Sequence, residues 1–169
     1  MAFKQYNPQK PAKYGILFKS INGVSYPFTF TTMLYAGKPP EGRGPLYQSN
    51  VFESVKYLVE NMTAKVDIRG RNLTMDRYYS SIELARWLLD KKITMVGTMQ
   101  QNRKGIPAEI KDMGGREEYS YEVFWDQKDS RLSLHSYVVK TKSTGKRNVI
   151  LLSTMKPFLG IEKHQKKKL

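Results

Sequence analysis

A strand, a capped helix and a second strand follow one another within about thirty residues, from Arg71 to Met99, and few folds admit that succession. Leu73 and Met75 alternate with polar neighbours in the first strand. Ser80 and Glu83 have the spacing of a capping box, and Ile82, Ala85, Leu88 and Leu89 recur at helical intervals, with Trp87 at the edge of the stripe. Thr94 to Met99 is a short second strand. Two strands separated by a helix cannot close as a hairpin, so a parallel βαβ unit with a right-handed crossover is expected. The chain therefore belongs to the α/β class.

On the N-terminal side, Tyr14 to Ile21 is expected as a strand. Asn22-Gly23 is a turn signal, and a second strand, antiparallel to the first, runs from Tyr26 to Tyr35. The Gly- and Pro-rich stretch from Gly37 to Pro45 is a loop, because neither a helix nor a ladder tolerates that density of the two residues. Asn50 and Glu53 start a helix reaching Met62, with Val51, Val55, Leu58 and Met62 as its apolar stripe. Beyond Gly114 the pattern changes. Tyr119 to Trp125, Leu132 to Lys140 and Asn148 to Ser153 form three strands of an antiparallel meander, joined by the polar turns Gln127 to Ser130 and Ser143 to Lys146. Residues 1–112 are expected as the core, 113–155 as a separate β subdomain and 156–169 as a basic, disordered tail.

The 29 basic and 15 acidic residues leave a net charge of +14, which favours a polyanion, nucleic acid first. No Asp or Glu precedes Glu41. The absence of cysteine excludes disulfides and thiolate metal sites. No apolar run approaches the ~18 residues of a membrane span, and Met1 to Tyr6 lacks the apolar core of a secretory signal. No membrane association, secretion or small-molecule substrate is expected.

Asp76 carries the chemistry. It closes the first strand of the βαβ unit, ahead of the aromatic turn Arg77-Tyr78-Tyr79. Divalent-metal phosphoryl transfer needs about three acids converging on two ions held ~4 Å apart, and Mg²⁺ and Mn²⁺ prefer oxygen ligands. The stretches flanking Asp76 supply no such acids. The plainer role for this carboxylate is to cap its own turn. His135 has no Cys or His partner in register for a metal, and the pairs Tyr78-Tyr79 and Phe124-Trp125 suit sheet packing better than base stacking. Gly37-Lys38 and Gly145-Lys146 lack the spacing of a phosphate loop.

Four segments, in order, resemble piggyBac transposases. Phe3 to Gly15 is similar to the run that leads into their catalytic core, and Asn72 to Ile82 to the segment around their second catalytic aspartate. Val96 to Pro107 resembles the following strand and basic loop. Leu134-His135-Ser136-Tyr137, with Leu151 to Thr154, resembles their inserted β subdomain. The resemblance implies a partial ribonuclease-H-like transposase core with an inserted antiparallel β subdomain. It also implies a family in which three aspartates bind two Mg²⁺ or Mn²⁺ ions for hairpin-mediated cut-and-paste of DNA at TTAA sites.

Of that triad only Asp76 is matched. The first position falls at or near Gly23, and the third belongs to a Lys-Gly-Gly-x-Asp run that this chain does not reach. The expectation is thus a truncated, catalytically inactive transposase-derived domain with residual DNA binding and no cofactor of its own. Asp76 would ligate a metal only if another chain completed the site. Weak DNA-backbone contact is expected at Lys13, Arg71, Arg77, Asn102, Arg103 and Lys104. A full-length piggyBac relative is a possible second partner, and the nucleus is the expected compartment, otherwise the cytoplasm. Two alternatives stay open: a domesticated DNA-binding or transposase-antagonist module, and a piece of a larger enzyme with a mistaken gene boundary.

Overall fold

The computed structural model describes residues 4–35, 50–141 and 145–155, and the backbone of 166–168. These residues form two compact units that divide between Ile68 and Arg69.

In the first unit, β1 (Lys4–Tyr6) and β2 (Tyr14–Ile16) pair antiparallel, as do β3 (Phe18–Asn22) and β4 (Thr29–Leu34). Helix α1 (Val51–Thr63) starts at Asn50, whose side-chain oxygen accepts the Phe52 N–H at 2.9 Å. It buries Val55, Leu58, Val59 and Met62 and packs on β3 and β4, where Met33 and Lys19 face each other across the ladder. The strand expected over Tyr14 to Ile21 is interrupted at Leu17, because its two halves take different partners. The next strand begins at Thr29 rather than Tyr26. Gly23 N–H donates to the Phe28 carbonyl (2.7 Å), closing a longer connection, and Pro27 has no N–H to offer a ladder. The loop expected at Gly37 to Pro45 lies outside the described residues.

The second unit contains the βαβ element. Strands β5 (Asn72–Met75) and β6 (Thr94–Met99) are parallel and joined by α2 (Ile82–Asp90), with Leu73 opposite Met95 and Met75 opposite Gly97. The cap of α2 is Ser81, which accepts the Leu84 N–H at 3.1 Å, and not Ser80. Ser80 is occupied one residue earlier, in the turn that follows β5. After the short helix α3 (Ala108–Lys111), strands β7 (Tyr121–Trp125), β8 (Ser133–Thr141) and β9 (Gly145–Ser153) form the expected meander.

The meander is not set apart from the core strands. β9 runs antiparallel against β6, so all these strands share one mixed sheet, in the order β7-β8-β9-β6-β5. Leu84, Ala85 and Leu88 of α2 are buried, as are Met95, Leu134, Val138, Ile150 and Leu152 of the sheet. Residues 156–165 and 169 of the expected disordered tail lie outside the described residues. Lys166–Lys168 instead form β10, pairing parallel with Val123–Trp125 at the β7 edge, where backbone groups would otherwise lack partners. Among the described residues no helix is long and apolar enough to cross a membrane.

Candidate nucleic-acid interface and the Asp76 turn

Asp76 follows the last residue of β5. Its Oδ1 accepts the Tyr78 N–H at 2.8 Å, while its carbonyl accepts from Tyr79 N–H (3.0 Å), Ser80 N–H (3.2 Å) and Ser80 Oγ (3.1 Å). The exposed carboxylate thus serves as the cap of its own tight turn. Gly97 makes room for that turn. A Cβ at position 97 would sit 2.2 Å from Ser80 Oγ and 2.7 Å from the Met75 carbonyl, so the fully buried Ser80 folds against bare backbone. Tyr79 is half-buried. Burial pushes its hydroxyl above the ordinary tyrosine value, helped by the charges of Tyr78 and Asp76.

The loop after β6 closes on the same turn. The Arg103 guanidinium donates to the Tyr78 carbonyl, and its Nε is buried with no hydrogen-bond partner among the described residues. Gly105, at φ +86°, turns the chain so that Ile106 is buried. Arg103 therefore anchors the loop to the Asp76 turn, while its neighbours Asn102 and Lys104 are exposed.

The other residues expected to contact DNA are carried by different elements. Lys13 is exposed before β2, in the first unit. Arg71 precedes β5 and Arg77 follows it, so the two lie at opposite ends of that strand. Within the second unit Arg77 and Asn102 come together, in a cleft of about 710 Å³ lined also by Thr98 to Gln101, Met113 and Lys146 to Ile150. The cleft forms where β6 ends: Met99 pairs with Ile150, and Gly145 to Val149 continue along β8 without a β6 partner. Among the described residues its lining includes three cations, Arg77, Lys146 and Arg147, and no carboxylate.

A buried polar network fixes the floor. Asn148 donates to the Ile110 carbonyl (2.6 Å) and accepts from Ser136 Oγ (2.7 Å), and its own carbonyl accepts from Gln101 Nε2 (3.0 Å). Lys146 and Arg147 were not singled out from sequence as DNA contacts. Their signal was the basic run around Gly145, which taken alone is a strand-connecting turn.

Among the described residues no three His, Cys, Asp or Glu side chains gather to hold a metal ion, so the donor set around Asp76 does not fit the two-ion chemistry. His135 is bonded on both ring nitrogens, to the Tyr121 hydroxyl and to Ser133 Oγ (2.9 Å), and burial lowers its pKa. It is a satisfied sheet histidine.

The second unit thus carries a βαβ unit within a mixed sheet, with an acid at the end of β5 and Arg77, next to it, lining a basic cleft. The chain belongs to the Transposase IS4 family, whose model matches residues 1–168. It is also similar to a solved structure, the cryo-EM structure of the piggyBac transposase synaptic complex with hairpin DNA. The identity is 30% and the TM-score 0.76, over 96% of this chain and 31% of that chain. The piggyBac resemblance and the α/β class expected from sequence are thereby borne out. No curated protein matches the chain.

Proposed function

We infer that this domain binds the DNA backbone and does not carry out strand transfer by itself. The observation that carries the reading is the state of Asp76: its carboxylate caps its own turn, and no trio of metal-ligating side chains gathers among the described residues. Gly23, near the position where the resemblance places a first acid, supplies no side-chain oxygen. Family membership and the +14 charge support DNA as the partner, and hence the nucleus as the place of action.

The test is a combined binding and strand-cleavage assay on linear duplex DNA with Mg²⁺ or Mn²⁺, comparing the wild type with Asp76→Ala. No cleavage by either protein is expected, with equal DNA affinity. Metal-dependent nicking that disappears in the variant would overturn the reading.

A further inference from the structure

Building on that DNA-binding reading, we propose that the cleft where β6 ends holds the phosphodiester backbone of one DNA strand, with Lys146, Arg147 and Arg77 as its phosphate ligands. Charge comes first. Among the described residues three cations and no carboxylate line the cleft, and the Arg147 side chain makes no ion pair with any of them. Lys146 donates to the Arg116 carbonyl at 2.8 Å, a neutral acceptor that steers the ammonium and leaves its charge uncompensated. Solvated cations scattered over a convex surface would each be screened. Cations around a concavity with low-dielectric walls add their fields.

Rigidity comes second. Lys146 and Arg147 directly precede Asn148, whose side chain and carbonyl are tied to Ile110, Ser136 and Gln101, so the backbone that carries both cations is fixed before any ligand arrives. Pre-positioning lowers the ordering cost of binding. Size comes third. At about 710 Å³ the cleft matches a small-ligand site and is far too small for the body of a duplex, so it admits a strand's backbone with about one or two nucleotides. Arg103, anchored to Tyr78, is left out of this ligand set.

The experiment is a fluorescence-anisotropy titration of a labelled duplex of arbitrary sequence at several salt concentrations. Wild type is compared with Lys146→Ala/Arg147→Ala and with Lys10→Ala/Lys128→Ala, which removes the same charge from exposed positions outside the cleft. The cleft variant should bind on the order of ten-fold more weakly, and its log-affinity against log-salt slope should fall by about two, while the control changes little. Arg147→Ala alone, with thermal melting to confirm the fold, should produce about half of the slope change. Wild-type binding with a cleft variant indistinguishable from the control sinks the cleft and leaves the DNA-binding reading standing. Absence of wild-type binding removes both.

Discussion

Among the described residues each unit draws one cationic side chain largely out of water, Lys19 in the first and Arg116 in the second, and the two are held in opposite ways. Lys19 on β3 is 4% exposed; its Nζ donates to Ser54 Oγ at 2.8 Å and lies 5.0 Å from the centre of the Tyr35 ring. No carboxylate pairs with it among the described residues, and burial pushes its pKa below the ordinary lysine value. The Arg116 side chain, 9% exposed, donates to Ser120 Oγ (3.2 Å), to the Ser120 and Ser136 carbonyls (3.3 and 3.2 Å) and to Ser136 Oγ, with Glu122 at 3.8 Å. A guanidinium spreads its charge over a fork of donors that several acceptors satisfy together, whereas a lone ammonium beside one hydroxyl stays poorly compensated. The second unit gains a rigid polar hub from its buried cation. The first gains much less.

Breaking the hub should have the largest effect. Arg116→Ala removes the donors to the Ser120 and Ser136 hydroxyls and carbonyls and opens a void beside the Ser136–Asn148 bond, so a loss of about 3 kcal/mol is expected in urea unfolding. Arg116→Lys sharpens the contrast by placing an ammonium where a fork was. About 2 kcal/mol should be lost, because one Nζ cannot reproduce the planar arrangement of donors. A lysine variant as stable as the wild type would show that charge alone, and not geometry, holds this site.

Lys19→Met should move the other way, stabilising by about 1 kcal/mol, since an apolar side chain of similar length removes the desolvation cost. Ser54 Oγ keeps its bond to the Asn50 carbonyl at 3.0 Å. The pH dependence has a definite sign. With its folded-state pKa lowered, Lys19 is more readily protonated in the unfolded chain. Wild-type stability from this group is therefore complete above the ordinary value of 10.5 and is lost as pH falls through the lowered one. The gain from Lys19→Met should accordingly shrink as pH rises towards 10.5, which melting curves of the two proteins across that range will show.

The hub also marks how far the sequence alone reaches. The βαβ unit and the meander were legible because their signals are local: apolar residues at period 3.6 between Ile82 and Leu89, and strands bounded by turn residues on either side of Ser130. The break at Leu17 was not, because it depends on which neighbour each half-strand takes. The cap at Ser81 was displaced by one residue for a similar reason, since Ser80 is drawn into the Asp76 turn by the space over Gly97. Asp76 could be placed at a strand end, and its capping role was foreseen as the plainer one. The cleft was out of reach, because Arg77 and Lys146 come together only through the pairing of β6 with β9, some fifty residues apart in sequence.

A third cation, Arg86, gives the smallest effect and completes the contrast. It reaches from α2 to Asp126, just beyond β7, and its own side chain is 52% exposed. Burial by itself raises the Asp126 carboxyl. The bonds from Arg86 and from the Lys128 N–H (2.9 Å) outweigh it and hold the group below the ordinary carboxylate value. Because the arginine is half in water, Arg86→Ala should cost only about 0.5 kcal/mol at neutral pH, and less in high salt. The sign is that of a depressed acid. The contribution is present above the ordinary carboxylate range and is lost as pH falls through the lowered value, so wild type and variant should converge in acid. Lys19 and Arg86 would then divide the pH scale between them, one difference fading towards alkali and the other towards acid. Equal losses for Arg86→Ala and Arg116→Ala would mean that burial does not set the worth of a cation in this protein.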